Sequence, residues 1–145
     1  MFFGQYEHTI DEKGRLTIPS RYRDLLQNGA YITQGFEQNL MVLTTTAFEQ
    51  VYARINRMSL TDPIARQLKR LIFSYADRVE VDRAGRILIP QFLRVSAQLN
   101  GAAVMVGVGN HFEIWSPEHW QEQKAMLQDG EANTHRYAAF EITVS

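Results

Sequence analysis

Two arginines in this chain directly follow a glycine, and each has an aspartate four residues before it. The residues are Asp11, Gly14 and Arg15 in one copy and Asp82, Gly85 and Arg86 in the other. The planar guanidinium of arginine forms paired hydrogen bonds with a phosphate or with the edge of a guanine in a major groove. The repeated Asp-x-x-Gly-Arg motif therefore indicates recognition of a polyanion. The candidate contact residues are Arg15 and Arg86 with the flanking Lys13 and Arg83.

Each position of the motif has a physical reason. The short carboxylate of Asp11 or Asp82 can accept backbone N–H groups within a turn. The glycine supplies the positive φ that a tight turn often needs. The arginine opens the outgoing strand, so it projects from a rigid element and can pair with its own aspartate. The alternative is a surface hairpin whose ion pair contributes only about 0–1 kcal/mol to stability.

An internal repeat connects the two motifs. Residues 10–19 and 81–90 match at an offset of 71, and Arg23 matches Arg94 at the same offset. After a slip of one residue, Asn28-Gly29-Ala30 matches Asn100-Gly101-Ala102. Two halves of roughly 70 residues on one plan predict a duplicated unit with pseudo-two-fold symmetry. Such a pair of basic turns suits the local two-fold symmetry of a DNA duplex.

Hydrophobic periodicity predicts the same strands and helices in each half, which is an α+β arrangement. The predicted strands are residues 6–10, 15–18, 31–33 and 40–43, then 78–81, 86–89, 103–106 and 112–115. Each half ends in a helix, from about Thr46 to Met58 and from Ser116-Pro117 onward. A connecting helix begins at Asp62-Pro63. Its predicted apolar face is Ile64, Leu68, Leu71, Ile72 and Tyr75.

The aromatic residues and the C-terminal segment allow less definite predictions. Four aromatic side chains are expected in the core or at subunit contacts rather than as platforms for stacked bases. They are Phe48, Tyr52, Trp115 and Trp120. Phe2 and Phe3 are candidates for an interface. Residues 129–145 fit a final strand, a short helix or an interface segment.

The composition excludes several classes of protein. The chain has no cysteine, which excludes disulfides, thiolate catalysis and cysteine-ligated zinc. The four histidines lack a short metal-ligand spacing, and no nucleophile–base pair, glycine-rich phosphate loop or carboxylate pair stands out. We therefore expect no enzyme activity, metal, cofactor or small-molecule substrate. With no signal peptide and no apolar run near 20 residues, we expect a cytoplasmic chain without a membrane partner.

The charges are unevenly distributed. The formal net charge is −1, but nine basic and four acidic residues give residues 54–94 a charge of +5. Residues 113–145 hold six acidic and two basic residues, a charge of −4. A solvated helix face explains a basic stretch as well as a nucleic-acid interface does, so charge alone leaves the partner open.

At these residues the chain resembles the MraZ family, whose fold belongs to the SpoVT/AbrB-like swapped-hairpin group. The supporting stretches are Phe2-Phe3-Gly4, residues 11–16, Ile18-Pro19 with Arg21-Tyr22-Arg23, residues 66–76, residues 82–86 and Phe112-Glu113-Ile114-Trp115. The resemblance implies duplicated SpoVT/AbrB-like swapped-hairpin β-barrel units with flanking helices. Its repeats are residues 1–53 and 77–123, with a connecting helical region at 54–76 and a C-terminal tail at 124–145.

The resemblance also implies a function. MraZ proteins are transcriptional regulators of the division and cell wall gene cluster, generally repressors at their own promoter. They associate with the nucleoid, and they assemble into homo-oligomeric rings that read direct repeats in double-stranded DNA. The DNA-contacting arginine of the family falls on Arg15 and Arg86, with Asp11 and Asp82 as motif partners. The alternative is an antitoxin-like protein-interaction module of the same fold, in which the acidic tail with Phe140, Ile142 and Val144 carries binding.

Overall fold

A six-stranded antiparallel sheet is the centre of the computed structural model, which describes residues 1–142. The strands in chain order are β1 (Gln5–Thr9), β2 (Arg15–Thr17), β3 (Ala30–Gln34), β4 (Leu40–Thr44), β5 (Asp77–Val79), β6 (Arg86–Leu88), β7 (Ala102–Gly107) and β8 (His111–Trp115). All but β2 and β6 belong to the large sheet, and those two form a separate two-stranded ribbon. The predicted strands are thus present, with ends displaced by one or two residues.

Six α-helices occur within residues 1–142. They are α1 (Ser20–Arg23), α2 (Thr45–Asn56), α3 (Pro63–Phe73), α4 (Gln91–Ser96), α5 (Pro117–Leu127) and α6 (Gly130–Tyr137), with 3₁₀ turns at Asp24–Leu26 and Ala138–Phe140. The long helices begin where the sequence predicts, since the Asp62 and Ser116 side chains accept the first free amides of α3 and α5. None of the helices in this part of the chain is long and apolar enough to span a bilayer. The α+β class is confirmed.

In the sequence repeat, β1, β3 and β4 of the first half correspond to β5, β7 and β8 of the second. The strand order of the sheet is β1-β7-β8-β4-β3-β5, and exchanging the corresponding strands gives the same order read from the other edge. Strand β1 of the first half pairs with β7 of the second, and β5 of the second half pairs with β3 of the first. The β4–β8 pairing joins the halves at the centre of the sheet. The sheet therefore has the pseudo-two-fold symmetry that the sequence repeat predicts. The boundaries at residues 53, 76 and 123 and the β-barrel description stay predictions.

The main core lies between the sheet and the ribbon. Side chains alternate along a strand, so every second residue of β4 and β8 faces this core. Four fully buried residues project into it from the ribbon strands and their ends: Leu16, Ile18, Ile87 and Ile89. The helices α1 and α4 add Tyr22 and Leu93 to the same cluster. This packing fixes which face of the ribbon points outward, and Arg15 and Arg86 do not belong to the buried cluster.

The opposite face of the sheet is covered by the longer helices. Leu43 of β4 packs with Phe48 and Ile55 of α2 and with Ile72 of α3. At the other end of the sheet, Trp120 of α5 packs with strands β7 and β8. The molecule thus has three layers: the ribbon with α1 and α4, the sheet, and the helices α2, α3 and α5.

Several side chains lie elsewhere than the sequence indicates. Ile64, predicted on the apolar face of α3, is 69% exposed, because Ala65 takes the inward position in the first turn. Tyr52 is half exposed, and the centre of its ring lies 5.5 Å from that of Phe73 on α3. Phe2 is a core residue rather than an interface residue, whereas Phe3 is exposed.

The remaining aromatic and C-terminal predictions have definite outcomes. Phe48, Trp115 and Trp120 are buried, as predicted. Within residues 129–142 the C-terminal segment forms helix α6 and a short 3₁₀ turn and no strand, so the short helix is present there, and the interface alternative stays a prediction. Val144, named for the alternative function, lies outside the described residues.

Candidate nucleic-acid interface

The first Asp-x-x-Gly-Arg motif is a tight turn closed by its aspartate. The Gly14 amide donates to the Asp11 carbonyl oxygen at 2.9 Å, and the Asp11 amide donates to the Arg15 carbonyl oxygen at 3.0 Å. The Asp11 Oδ1 atom accepts the amides of Lys13 at 3.0 Å and Arg15 at 2.9 Å. Gly14 has a φ of 86°, a conformation that side chains disfavour. The roles predicted for the aspartate and the glycine are therefore observed.

The second motif has the same geometry. The Asp82 Oδ1 atom accepts the amides of Ala84 and Arg86, both at 2.9 Å. The Gly85 amide donates to the Asp82 carbonyl oxygen at 3.0 Å, and Gly85 has a φ of 80°. Two sequence segments separated by 71 positions thus form nearly the same turn.

Each motif arginine is held by its own aspartate. The distance from Arg15 Nε to Asp11 Oδ2 is 2.7 Å, and the distance from Arg86 Nε to Asp82 Oδ2 is 3.1 Å. The side chains of Arg15 and Arg86 are 33% and 30% exposed. These bonds use only Nε, and the terminal N–H groups of Arg15 and Arg86 form no hydrogen bond within residues 1–142.

The carboxylates have lowered pKa values. The amide of Arg15 beside Asp11 lowers the pKa of that carboxyl below its ordinary value of 3.8, and the Arg15 side chain adds to the effect. Asp82 shows the same direction for the same reason, with the Arg86 amide as the main cause. Both carboxylates are therefore charged at neutral pH, and each fixes one edge of its arginine.

The ribbon brings the two turns into one surface. Arg15 lies opposite Leu88, and Thr17 lies opposite Arg86, in the antiparallel register of β2 and β6. Arg86 Nη1 lies 3.9 Å from Asp11 Oδ2, so the second arginine also reaches the aspartate of the first motif. The sequence predicts each turn separately, and it contains no local signal for this contact.

Lys13 and Arg83 lie beside these arginines at the turn tips. Both are exposed, and neither forms a salt bridge with any residue in the range 1–142. We refer below to Arg15, Arg86, Lys13 and Arg83 together as the turn surface. It presents four cations beside two aspartates, which suits an extended anion.

Other chemistry has little support in the described part of the chain. No group of three or more histidine, aspartate or glutamate side chains within residues 1–142 is arranged to hold a metal ion. The buried Tyr22 hydroxyl donates to the Phe3 carbonyl oxygen at 2.6 Å, and burial raises its pKa to about 12. This tyrosine is a core residue that holds the N-terminal segment.

Comparison with known proteins settles the family. Residues 1–71 and 72–141 each match the family described as "MraZ protein, putative antitoxin-like". The chain is 46% identical to "Transcriptional regulator MraZ" of Roseiflexus castenholzii over 138 residues, which are 95% of this chain and 94% of that protein. The chain belongs to the MraZ family. A protein of the same name from Herpetosiphon aurantiacus is 46% identical over 83% of this chain and 85% of its own length.

More distant relatives carry the same name. The protein named "Transcriptional regulator MraZ" from Lactiplantibacillus plantarum is 39% identical over 84% of this chain and 86% of its own length. The MraZ match divides at residue 71, which places one Asp-x-x-Gly-Arg turn in each matched segment. The repeat found from the sequence therefore coincides with the repeat of the family.

Sequence reasoning left two arginines of the site without a role. The sequence shows that Arg23 and Arg94 match each other, but it assigns neither of them a role at the turns. In this MraZ chain each is half-buried and lies over the turn of the opposite half. Their match at the offset of 71 residues is the one signal that marks them as a pair.

Proposed function

We propose that this chain is a transcriptional regulator that binds double-stranded DNA through the turn surface. The observation that carries the proposal is the pair of aspartate-held arginines, partly exposed side by side on one ribbon. A guanidinium fixed on one edge and free on the other is prepared for paired hydrogen bonds to a guanine or a phosphate. Lys13 and Arg83 supply flanking phosphate contacts, which orient a protein on the duplex.

The names of the relatives support the regulatory part of this proposal, since they are called transcriptional regulators. We extend it, on the family resemblance, to repression of the division and cell wall gene cluster and of the chain's own promoter. One subunit offers few contacts, so a ring of subunits on repeated DNA elements supplies the avidity. The location that fits is the cytoplasm, at the nucleoid.

The strand exchange supports the proposed fold family. The leading strand and turn of each half pair with elements of the other half. This exchange fits the swapped-hairpin arrangement of the SpoVT/AbrB-like group. In that arrangement the two turns necessarily share a surface, as the proposed DNA contact requires.

Substitution of the two motif arginines tests the function. DNA is first selected from a random pool with the full-length protein, and its affinity is then measured by electrophoretic mobility shift. We expect Arg15→Ala and Arg86→Ala each to weaken binding by about 1–3 kcal/mol, roughly 5- to 150-fold. Arg54→Ala is the matched control, because Arg54 is exposed on α2 at the opposite face of the sheet. Unchanged affinity for both motif variants would overturn the assignment.

A protein-interaction function is the second candidate. It is favoured by the antitoxin-like description of the family and by exposed apolar residues at the C-terminal end, where Phe140 is 67% and Ile142 is 81% exposed. A pull-down with the full chain distinguishes the two functions. Recovery of one stoichiometric protein partner, together with failure to select any DNA, would favour this alternative.

A further inference from the structure

Two arginines outside the motifs lie directly over the turn glycines. A Cβ atom added at Gly85 would lie 2.5 Å from Cζ of Arg23, and one added at Gly14 would lie 2.8 Å from Cζ of Arg94. Arg23 belongs to the first half and Gly85 to the second, and the reverse holds for the other pair. Each guanidinium therefore covers the turn of the opposite half. The glycine is needed for this approach as well as for its positive φ.

A hydrogen-bond chain ties each of these arginines to the turn that it covers. Arg23 Nε donates to the Ile18 carbonyl oxygen at 2.7 Å, and the Ile18 amide donates to the Gly85 carbonyl oxygen at 2.8 Å. The second half repeats the chain with Arg94, Ile89 and Gly14, at 3.0 Å and 2.9 Å. One arginine thus holds the end of its own ribbon strand and packs on the backbone of the neighbouring turn.

The next residue after each covered glycine is a motif arginine. Arg86 follows Gly85 and Arg15 follows Gly14, so a shift of either turn backbone displaces the guanidinium that faces DNA. The planar guanidinium of arginine can lie flat on a peptide and still donate from Nε, whereas the ammonium of lysine cannot do both. The position therefore requires the shape of arginine and not only its charge.

We propose that Arg23 and Arg94 are positioning residues that act across the two halves: Arg23 orients Arg86, and Arg94 orients Arg15. The inference rests on the proposed DNA-binding function for its consequence, but the contact itself can be tested without DNA. A positioning role for Arg23 differs from a direct contact of Arg23 with a DNA phosphate. A direct contact would depend on the charge of the side chain, and its removal would leave the backbone of the opposite turn unchanged.

The DNA-free test follows backbone amide signals by NMR in the full-length protein. In Arg23→Ala the largest shifts outside the mutated helix are expected at Gly85 and Arg86, and in Arg94→Ala at Gly14 and Arg15. Arg21→Ala is the matched control, since it removes an exposed cation from the same helix. Unmoved amide signals in the opposite turn would overturn the inference, whether or not the protein binds DNA. Arg23→Lys provides the same comparison if Arg23→Ala does not fold.

The DNA-binding test asks whether shape or charge matters. Arg23→Lys keeps the positive charge but loses the planar guanidinium. Because lysine cannot replace arginine at such a site, we expect this variant to weaken binding to the selected DNA by about tenfold, close to the loss in Arg23→Ala. In an Arg86→Ala background, Arg23→Ala should add much less than in an Arg15→Ala background, because coupled residues are not additive. Full rescue by lysine, or equal effects in both backgrounds, would indicate a direct phosphate contact and refute the positioning role. If the unsubstituted protein does not bind DNA, the proposed function is refuted instead, and the NMR result still stands.

Discussion

At the residue scale, the Asp–Arg pairs of the turns contribute more to the orientation of the arginines than to stability. Each of these carboxylates is more than one third exposed, and solvent screening makes the contribution of such ion pairs to stability small. The Asp11 Oδ1 atom binds the turn amides, and its Oδ2 atom binds the arginine. One short side chain thus fixes both the backbone and the guanidinium, which explains why aspartate rather than glutamate occupies this position.

The lowered carboxyl pKa values predict a stability that decreases in acid. A carboxyl whose folded-state pKa lies below 3.8 binds fewer protons in the folded protein than in the unfolded chain. Its contribution to the free energy of unfolding is therefore complete above pH 3.8 and is lost as the pH falls through the folded-state pKa. We expect the free energy of unfolding in urea to fall as the pH decreases from about 4 through the folded-state pKa, and to fall less in Asp82→Asn. The control Glu12→Gln removes an exposed carboxylate of the first turn that has no hydrogen bond within residues 1–142. If Asp82→Asn retains the full pH dependence, its carboxylate is not a source of it.

The roles of the motif residues were predictable because they are local. An aspartate, a glycine and an arginine within five positions specify their own turn, and the observed hydrogen bonds agree with that prediction. The role of Arg23 was not predictable in this way, because its contact joins residues 62 positions apart in sequence. Only the exchange of ribbon strands between the halves brings them together.

At the scale of secondary structure, the β2–β6 ribbon is the platform that holds the turn surface. Alternate side chains point to opposite faces, so Leu16 and Ile87 are buried while Arg15, Thr17 and Arg86 are half-buried and Leu88 is exposed. Shifting either strand by one residue would turn the motif arginine of that strand into the core. The hydrophobic pattern of the ribbon therefore determines which way the arginines face.

A pair of leucine substitutions on the ribbon tests this arrangement. Leu16→Ala removes a fully buried side chain, and we expect it to lower the free energy of unfolding by about 2–5 kcal/mol. Leu88→Ala, on the partner strand but exposed, should change that free energy by less than about 0.5 kcal/mol. Urea denaturation of both variants gives the comparison. Equal losses would mean that the ribbon is not packed on the sheet in the observed register.

The secondary structure was mostly predictable from the sequence, whereas the pairing of strands was not. The caps at Asp62 and Ser116 are local signals, and both helices begin at them. The prediction of the apolar face of α3 was only partly right, because burial depends on the packing partner: Ala65 and Ile72 are buried and Ile64 is exposed. Periodicity indicates that a helix has an apolar face, but it does not identify the surface that covers it.

At the scale of the whole molecule, the sheet separates the basic residues that look continuous in the sequence. Of the nine basic residues in 54–94, Arg54 lies on α2, and Arg66, Lys69 and Arg70 lie on α3, in the helix layer. Arg83 and Arg86 lie on the ribbon side, at the second turn. The formal net charge of −1 therefore gives no general attraction to DNA. Under the proposed function, the affinity for DNA comes from the local group of cations at the turns.

This distribution predicts how the salt dependence of binding responds to substitution. Each phosphate contact releases counterions, so removing one lowers the slope of log affinity against log salt by about 1. We expect the double variant Lys13→Ala with Arg83→Ala to reduce the slope by about 2 per subunit engaged and to weaken all DNA sequences alike. The matched control is Arg54→Ala with Arg57→Ala, which removes the same charge from the exposed end of α2. Both double variants remove two positive charges, one pair from the ribbon side and the other from the helix layer. Their salt slopes therefore differ only if DNA contacts one of these places directly. Equal slopes would show that total charge, and not the turn surface, governs binding.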